Sequence, residues 1–418
     1  MNTRQQKGLE LAARARIECH RSYWSVPSSQ AQHGSYKIDL AATTCTCEDF
    51  DTRQQPCKHI YAVRFVIERQ QTNTVPATEP LPPSEPTPAP TPKKTYRQQW
   101  DRYNAAQTNE KRVFQELLAD LCSTVPNPPA RHTGRPRLPR ADALFAAVFK
   151  VYSTVSGRRF TTDLKDACER GYLSVAPHYN SVFRVLEDVD TTPVLKRLVI
   201  RSSLPLKSVE THFACDSSGF STNRFLRWYD EKYGVQRKKA EWVKCHLMCG
   251  VRTNVVTAVE ISDAGDCPML PTLAATTAQN FTMAEVSADL AYSSQANLEY
   301  VEEECGAVPY IPFKSNSRGD TRPGVWERMH AYFTLNRDEY LAHYHRRSNV
   351  ESTFSMIKGK FGDSIRSKTD VAMKNEVLAK VLCHNLVVLV HEMYELGIDV
   401  GFTVTRGEPA VLKFPKSG

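Results

Sequence analysis

Eight prolines fall between Pro76 and Pro92, separated mainly by Thr, Ser, Ala and Glu. Proline donates no backbone hydrogen bond and fixes its own φ angle, so a tract this dense cannot build a folded core. Such a tract is typical of an extended, semi-stiff tether. It therefore divides this chain of 418 residues into a small N-terminal module and a much larger C-terminal part.

Outside this tract the composition is that of an ordinary globular protein, with 41% apolar and 24% charged residues. No run of about 18 apolar residues suggests a membrane span, and residues 1–15 lack the apolar segment of a signal peptide. We therefore expect a cytoplasmic protein with no membrane partner. In that compartment the twelve cysteines stay reduced, so clustered cysteines indicate metal binding.

One such cluster has the order Cys45-x-Cys47-x9-Cys57-x-His59. Three thiolates and one imidazole form a closed tetrahedral set, which is typical of one structural Zn²⁺ ion. Residues 36–40 alternate like a strand before the first ligand pair, and residues 60–68 resemble an apolar-faced helix after the last. Because so small a module has little core, the metal is expected to supply much of its folding free energy.

The segment 36–63, with its CxC and CxH pairs and the triplet Cys57-Lys58-His59, resembles the SWIM zinc finger. That resemblance implies binding to DNA or to protein, and the ligand residues do not distinguish the two.

Positive charge is concentrated in three stretches of a chain whose formal net charge is +8. Residues 131–165 carry eight Lys or Arg against two Asp, and residues 224–240 and 340–368 each carry six basic against two acidic residues. Any one stretch is equally well explained as a solvated surface. Together they favour a phosphate-backbone partner.

The larger part begins with helical patterns and continues with strands, which indicates an α/β domain. Helices are predicted over 96–121, 142–154, 162–170, 180–188, 338–360 and 372–396, and strands over 209–215, 242–251, 255–261, 283–288 and 308–313.

Three acidic residues are the candidates for a metal-binding catalytic site. Asp216 and Asp289 each follow a predicted strand, so they can converge at one edge of an open α/β sheet. Glu351 lies on the predicted helix 338–360. Converging carboxylates repel one another unless cations lie between them, and hard oxygen ligands suit Mg²⁺ or Mn²⁺. Two such ions can support cleavage of a phosphodiester.

A polar stripe accompanies the third acid. Tyr344, Arg347, Glu351 and Lys358 are spaced by three, four and seven residues, which places them on one face of a helix. The apolar residues of that helix form a separate set, so the stripe faces either a ligand or solvent.

This stripe matches the Tyr-x2-Arg-x3-Glu-x6-Lys signature of bacterial insertion-sequence DDE transposases, and the segments around Asp216 and Asp289 resemble the first and second acid motifs of that family. The resemblance implies a ribonuclease H-like catalytic domain with Asp216, Asp289 and Glu351 as ligands of two Mg²⁺ (or Mn²⁺) ions. It also implies that Arg347 and Lys358 hold phosphates of the transposon end and that Tyr344 positions the terminal nucleotide.

The resulting prediction is a multidomain α/β protein: a ribonuclease H-like mixed sheet with helices, preceded by an all-α DNA-binding domain and a small zinc-finger module. The predicted segments are a zinc module (1–70), a linker (71–98), the helical domain (99–205), the catalytic domain (206–396) and a tail (397–418). The expected partners are the terminal inverted repeats and target DNA, bound by a homo-oligomer associated with the bacterial nucleoid.

Several residues are open to two interpretations. Lys244 and His246 share one face of the second strand and are candidate DNA contacts, or His246 is simply a partly buried strand histidine. The nine cysteines outside the zinc motif are interpreted as reduced thiols. Residues 160–188 form either a helix-turn-helix or a three-helix structural bundle.

Two other functions remain compatible with the sequence. One is a DNA-binding protein with a transposase fold that no longer cuts DNA, and the intact acid triad argues against it. The other is a ribonuclease H-like nuclease without strand transfer, and the Tyr/Arg/Lys stripe argues against that.

Overall fold

A computed structural model describes residues 3–15, 17–20, 22–28, 35–72, 99–129, 137–222, 242–319 and 324–403. The chain forms two compact units, residues 1–95 and 96–418. The predicted linker 71–98 lies almost wholly outside the described residues, as do the basic stretch 224–240 and most of the predicted tail.

The N-terminal unit combines a small antiparallel sheet with three helices. Its strands pair in the order β1-β2-β3-β4, and the described elements are α1 (Thr3–Arg14), β1 (Glu18–Cys19), β2 (Trp24–Pro27), β3 (Ser35–Asp39), β4 (Thr44–Cys45), α2 (Glu48–Arg53) and α3 (Lys58–Thr72). The expected strand 36–40 overlaps β3, which ends one residue earlier, and the expected helix 60–68 lies within α3.

The core of this unit is small. Val26 and Ile38 from the sheet pack with Phe50, Ile60 and Val63 from the helices and with the three motif cysteines. A core of this size leaves much of the stability to other interactions, as expected for a metal-stabilised module.

The larger unit contains a mixed five-stranded sheet in the order β7-β6-β5-β8-β9. Its strands are β5 (His212–Ser221), β6 (Trp242–Gly250), β7 (Val256–Ile261), β8 (Glu285–Ala288) and β9 (Val308–Tyr310). The first three strands are antiparallel neighbours, and β8 and β9 run parallel to β5. This sheet and its helices confirm the predicted α/β class.

Helices cover both faces of the sheet. They are α4 (Trp100–Ser123), α5 (Arg140–Ser153), α6 (Gly157–Glu169), α7 (Tyr179–Glu187), α8 (Thr191–Ser203), α9 (Met269–Ala278), α10 (Gln295–Glu299), α11 (Val325–Leu335), α12 (Arg337–Tyr344), α13 (Ser348–Phe361) and α14 (Asp370–Glu395). Alternate β5 residues divide between two cores: Ala214 and Phe220 face the core that contains α13 and α14, whereas Phe213 and Cys215 face the other.

The longest helix, α14, lies at the centre of the first core. It is long and apolar enough to cross a membrane, but 83% of its apolar segment is buried inside the protein, as in a core helix. It packs against α4, α5, α7 and α8. The predicted boundary between residues 205 and 206 therefore crosses a continuous core.

The packing of α7 bears on the two interpretations of residues 160–188. Val182 and Leu186 are buried, and α7 contacts both α5 and α14. These contacts are those of a bundle helix, and a helix-turn-helix role stays a prediction.

Two local predictions were wrong. The single helix 338–360 is instead α12, a 3₁₀ turn at His345–Arg347 and α13, because the polar segment His345-Arg346-Arg347-Ser348 interrupts the apolar periodicity. Asp216 lies in the middle of β5, since antiparallel pairing with β6 continues to Ser221. The Ser217-Ser218-Gly219 sequence favoured a turn, and long-range pairing overrode it.

Candidate active site and metal cluster

The motif residues Cys45, Cys47, Cys57 and His59 form a compact buried cluster whose ligand atoms all lie within 4.8 Å of one another. The Sγ atoms of Cys45 and Cys57 lie 3.9 and 3.8 Å from Nδ1 of His59. A tetrahedral zinc site with ordinary bond lengths places its sulfur and nitrogen ligands about 3.5 Å apart. The cluster therefore fits a closed Cys₃His site.

Local structure positions these four ligands. Cys45 ends β4, Cys47 precedes α2, and Cys57 precedes α3, whose first turn carries His59. Burial and a hydrogen bond with Cys57 raise the pKa of Cys45, while the same hydrogen bond and that from His59 lower the pKa of Cys57. The crowded thiols thus already favour a thiolate.

In the larger unit, sheet register brings two acids together. The parallel pairing of β5 and β8 ends at Cys215 opposite Ala288, so the next position in the same register places Asp216 beside Asp289. A backbone N–H fixes each carboxylate: Ser217 N donates to Asp216 Oδ1 at 2.7 Å, and Ala291 N donates to Asp289 Oδ1 at 2.8 Å.

Arg347 connects the third acid to this pair. Its Nη1 donates to Asp216 Oδ2 at 3.2 Å and its Nη2 to Glu351 Oε1 at 2.5 Å. The arginine side chain is only 19% exposed, whereas that of Glu351 is 56% exposed. The guanidinium thus lies between two of the predicted catalytic carboxylates as their internal counter-ion.

The electrostatic state of Asp216 reflects these neighbours. Burial raises the pKa of Asp216, and the carboxylates of Asp289 and Glu351 raise it further. The Ser217 N–H and Arg347 oppose this increase without cancelling it. An acid whose ionised form is disfavoured in this way is stabilised by any additional cation placed beside it.

The three acids are less compact than the cysteine cluster. Within the described ranges, no second group of three or more possible ligands is as close together as the cysteines and His59. The position of Arg347 between Asp216 and Glu351 accounts for the separation of that pair.

Lys358 lies on the same side of the sheet as Asp216 despite the break before α13, whereas Tyr344 packs against the core on the other side. Lys358 Nζ donates to Ser218 Oγ at 2.7 Å, and burial lowers the pKa of this lysine. Tyr344 is partly buried against the second core, with the Arg347 guanidinium 6.0 Å from its ring centre.

Lys244 and His246 lie on the opposite face of the sheet, paired with Gly219 and Ser217. Both contact Asp266: Lys244 Nζ lies 2.8 Å and His246 Nδ1 3.4 Å from its Oδ1. His246 is fully buried, which favours the alternative of a core histidine over direct contact with DNA. Lys244 stays a predicted DNA contact.

Sequence reasoning missed Asp266. Its carboxylate also accepts a hydrogen bond of 2.6 Å from Ser217 Oγ, so it links the loop after β7 to the residue next to Asp216. No motif identifies it, because its partners come from β5 and β6 and are defined only by strand pairing. Of the other thiols, Cys215, Cys245, Cys249 and Cys383 are buried in the core, and Cys267 and Cys305 are only partly buried.

Comparison with known families finds a match over the segment that carries each site. The SWIM zinc finger family matches residues 32–63, a range that contains all four cluster ligands. The transposase DDE domain family matches residues 207–386, a range that contains Asp216, Asp289 and Glu351.

Among solved structures, the chain is similar to a cryo-EM structure of the piggyBac transposase synaptic complex with hairpin DNA. The identity is 11%, the match covers 69% of this chain and 74% of that one, and the TM-score is 0.34. The comparison with curated proteins gives no match.

These family matches favour neither a DNA-binding protein that no longer cuts nor a nuclease without strand transfer. A transposase DDE domain cleaves DNA and transfers the cut strand. The chain therefore carries a transposase DDE domain over residues 207–386 and an N-terminal SWIM zinc finger over residues 32–63, a combination that supports a DNA transposase.

Proposed function

We propose that Asp216, Asp289 and Glu351 hold two divalent cations, Mg²⁺ or Mn²⁺, and that the enzyme uses this centre to cut the ends of its insertion sequence and join them to target DNA. The observation that carries the proposal is that Arg347 donates to both Asp216 and Glu351, at 3.2 and 2.5 Å, while strand register places Asp289 beside Asp216.

The residues fit such cations. The donor set consists of carboxylate oxygens, which magnesium and manganese prefer. Burial, and to a lesser extent the charges of Asp289 and Glu351, raise the pKa of Asp216, so a cation there would favour its ionised form. Bound there, the cations would activate a water or a 3′-hydroxyl and stabilise the leaving oxygen of the phosphodiester.

The protein side chains supply positioning and charge. Asp216 and Asp289 are fixed on the rigid sheet by their N–H donors, so the geometry needed for in-line displacement is preorganised. Arg347 neutralises part of the charge of Asp216 and Glu351 before DNA arrives. Its planar guanidinium can then bind a phosphate in a bidentate manner, whereas Lys358 supplies a point charge.

The partners follow from this chemistry. Tyr344, next to Arg347, would stack on or position the terminal nucleotide of the inverted repeat. Joining two ends requires their synapsis, which calls for a homo-oligomer. The zinc finger would add contacts to DNA or protein, held by the Cys45, Cys47, Cys57 and His59 cluster.

Glu351→Gln tests the proposal, because an amide keeps the size of the side chain and removes its charge. With Mg²⁺ and DNA that carries the element's ends, we expect DNA binding to persist while cleavage and strand transfer fall by about a thousandfold or more. Single-turnover cleavage and a binding titration measure the two effects.

Glu327→Gln is the matched control, since Glu327 is an exposed glutamate on α11 outside the site. It should cut and join like the wild type. Undiminished cleavage by Glu351→Gln would overturn the assignment of the acids.

A further inference from the structure

A groove in the larger unit lies apart from the three acids, where the loop between α5 and α6 meets the segment that follows α13. Two adjoining cavities of about 170 and 630 Å³ share Thr154, Val155, Ser156, Arg366 and Ser367 as lining residues. The site described above uses none of these residues.

Lys150 lines the smaller cavity. This lysine is 7% exposed, and within the described residues its ammonium has no hydrogen-bond or ion-pair partner. The ring centre of Phe160 lies 5.9 Å from its Nζ. Lysines buried to this extent are normally paired, so an unpaired ammonium that opens onto a cavity is available to an anionic ligand.

The charge of Lys150 persists near neutral pH. Burial and the Arg366 guanidinium lower its pKa to about 8, and Glu376 partly opposes them. At pH 7 the ammonium is therefore still mostly protonated.

Glu376, the acidic residue whose charge acts on Lys150, already accepts hydrogen bonds from other groups. Glu376 accepts hydrogen bonds of 2.8–3.0 Å from the backbone N–H groups of Arg366 and Ser367. Lys380, which lies 3.8 Å from it, donates to the carbonyls of Gly362 and Ser364. Among the described lining residues, cations therefore outnumber acids, with Arg159 and Lys368 adding to Lys150 and Arg366.

The start of α6 reinforces this preference for anions. The helix has 13 residues, and the Oγ of its N-cap, Ser156, accepts a hydrogen bond from Arg159 N. The unpaired N–H groups of a first helical turn and the helix dipole attract negative charge. Ser156 and Gly157 both line the cavity with Lys150. The start of α6 and the lysine side chain therefore line the same cavity.

Backbone hydrogen bonds connect the groove to β5, the strand that carries Asp216. Thr222, one residue beyond the end of β5, lines the larger cavity. Backbone hydrogen bonds of 3.0 and 2.8 Å tie Ser221 to Asp363 and Ile365. Since Thr222 lies six residues after Asp216, the groove begins roughly 20 Å from the acids.

We propose that this groove binds a backbone phosphate of the DNA substrate, with Lys150 at its floor and Arg159, Arg366 and Lys368 at its rim. The three rim residues are exposed, which suits a phosphate carried on a polymer better than an enclosed small anion. The inference rests on the proposed function, because it supplies an anchor for DNA that also reaches the three acids.

The test is the salt dependence of DNA binding by the full chain, measured with a short duplex of arbitrary sequence over a range of KCl concentrations without added divalent cation. Lys150→Met keeps the side-chain length and removes the charge. We expect about tenfold weaker binding and a log–log salt slope that is smaller by about one. Lys368→Ser, at the exposed rim, should lower the slope without affecting folding.

Lys111→Met is the matched control, because Lys111 belongs to the same helical region but pairs with Asp163 at 2.8 Å. The log–log salt slope of DNA binding by Lys111→Met should equal that of the wild type. A thermal melt checks folding, and loss of a buried charge should leave the melting temperature of Lys150→Met unchanged or higher.

A wild-type slope for both Lys150→Met and Lys368→Ser would overturn the inference. The inference would also be overturned if inorganic phosphate stabilised the wild type but not Lys150→Met while the two proteins bound DNA equally. The groove would then bind a free anion and not DNA. Glu351→Gln should bind DNA with the wild-type slope. Cleavage by that variant would overturn the proposed function without affecting the result for the groove.

Discussion

The two candidate metal sites of this protein are built in opposite ways. The four cysteine and histidine ligands lie between residues 45 and 59 and come together within 4.8 Å of one another. The three acids lie on two strands and a helix, between residues 216 and 351, and an arginine separates two of them.

The two sites differ in the interactions that stabilise them. Closing a short segment costs little chain entropy, so residue spacing nearly suffices for the cysteine cluster and the ion is expected to do the rest. The acid site depends on strand pairing that a large hydrophobic core stabilises. Metal should therefore be essential to the fold of the first region and nearly irrelevant to the fold of the second.

Cys57→Ser should have the largest effect. A structural zinc site contributes roughly 10–16 kcal/mol of apparent binding free energy in zinc-finger peptides, and the core of this unit is small. We expect about one equivalent of zinc to be lost and residues 35–72 to become sensitive to protease. Metal analysis and limited proteolysis measure both effects.

Cys19→Ser is the control, since Cys19 is the exposed cysteine of the same unit. It should retain zinc, and the melting of the larger unit should be unchanged in both variants. Full zinc content in Cys57→Ser would contradict the cluster assignment.

Magnesium should have a smaller effect on the larger unit. Ligand at about a hundred times its dissociation constant stabilises a fold by roughly 2.7 kcal/mol, so excess Mg²⁺ should raise the melting temperature by a few degrees. Asp289→Asn should abolish most of that rise, and Glu327→Gln should preserve it. An equal Mg²⁺ response in all three proteins would place the bound ion elsewhere.

The stability of Asp289→Asn in the absence of metal can also be predicted. Because the pKa of Asp216 is raised in the folded protein, ionised Asp216 costs stability as the pH rises above its unfolded value. Asp289→Asn removes one cause of the shift, and Asn can still accept the Ala291 hydrogen bond. Denaturant unfolding at pH 7 should therefore show unchanged or slightly higher stability.

Asp266→Asn should have the smallest effect. It removes the ion pair with Lys244 and weakens the Ser217 contact, which we expect to cost about 1–2 kcal/mol in urea unfolding. Glu302→Gln, which breaks the exposed pair with Arg328, should cost less than about 1 kcal/mol. Equal effects would show that the Asp266 network is no stronger than a surface pair.

The pH dependence gives a second readout for Asp266. Burial acts to raise its pKa, but hydrogen bonds from Lys244 and Ser217 lower it overall. Its contribution should therefore be complete above the unfolded value of about 4 and decrease as the pH falls below that value. A difference between wild type and Asp266→Asn that stays constant to low pH would contradict this.

Much of the larger unit could be predicted from local pattern. The strands β6 and β7 and the helix α14 lie within a residue or two of their predicted bounds, because apolar periodicity is a local property. The break between α12 and α13 and the central position of Asp216 in β5 could not be predicted, since both depend on partners distant in the chain.

The spacing of Cys45, Cys47, Cys57 and His59 determined the metal cluster, and the intervals between Tyr344, Arg347, Glu351 and Lys358 determined the family resemblance. Short intervals fixed the geometry of the cysteine cluster almost by themselves, whereas the helix break before Ser348 interrupts the stripe. Only the tertiary structure decided that Arg347 lies between Asp216 and Glu351 and that Asp266 links β5 and β6. It also decided that Lys150 is buried with no ion-pair partner in the part of the chain that the structure describes. Each of these depends on long-range packing, which brings together side chains whose distance along the sequence carries no signal.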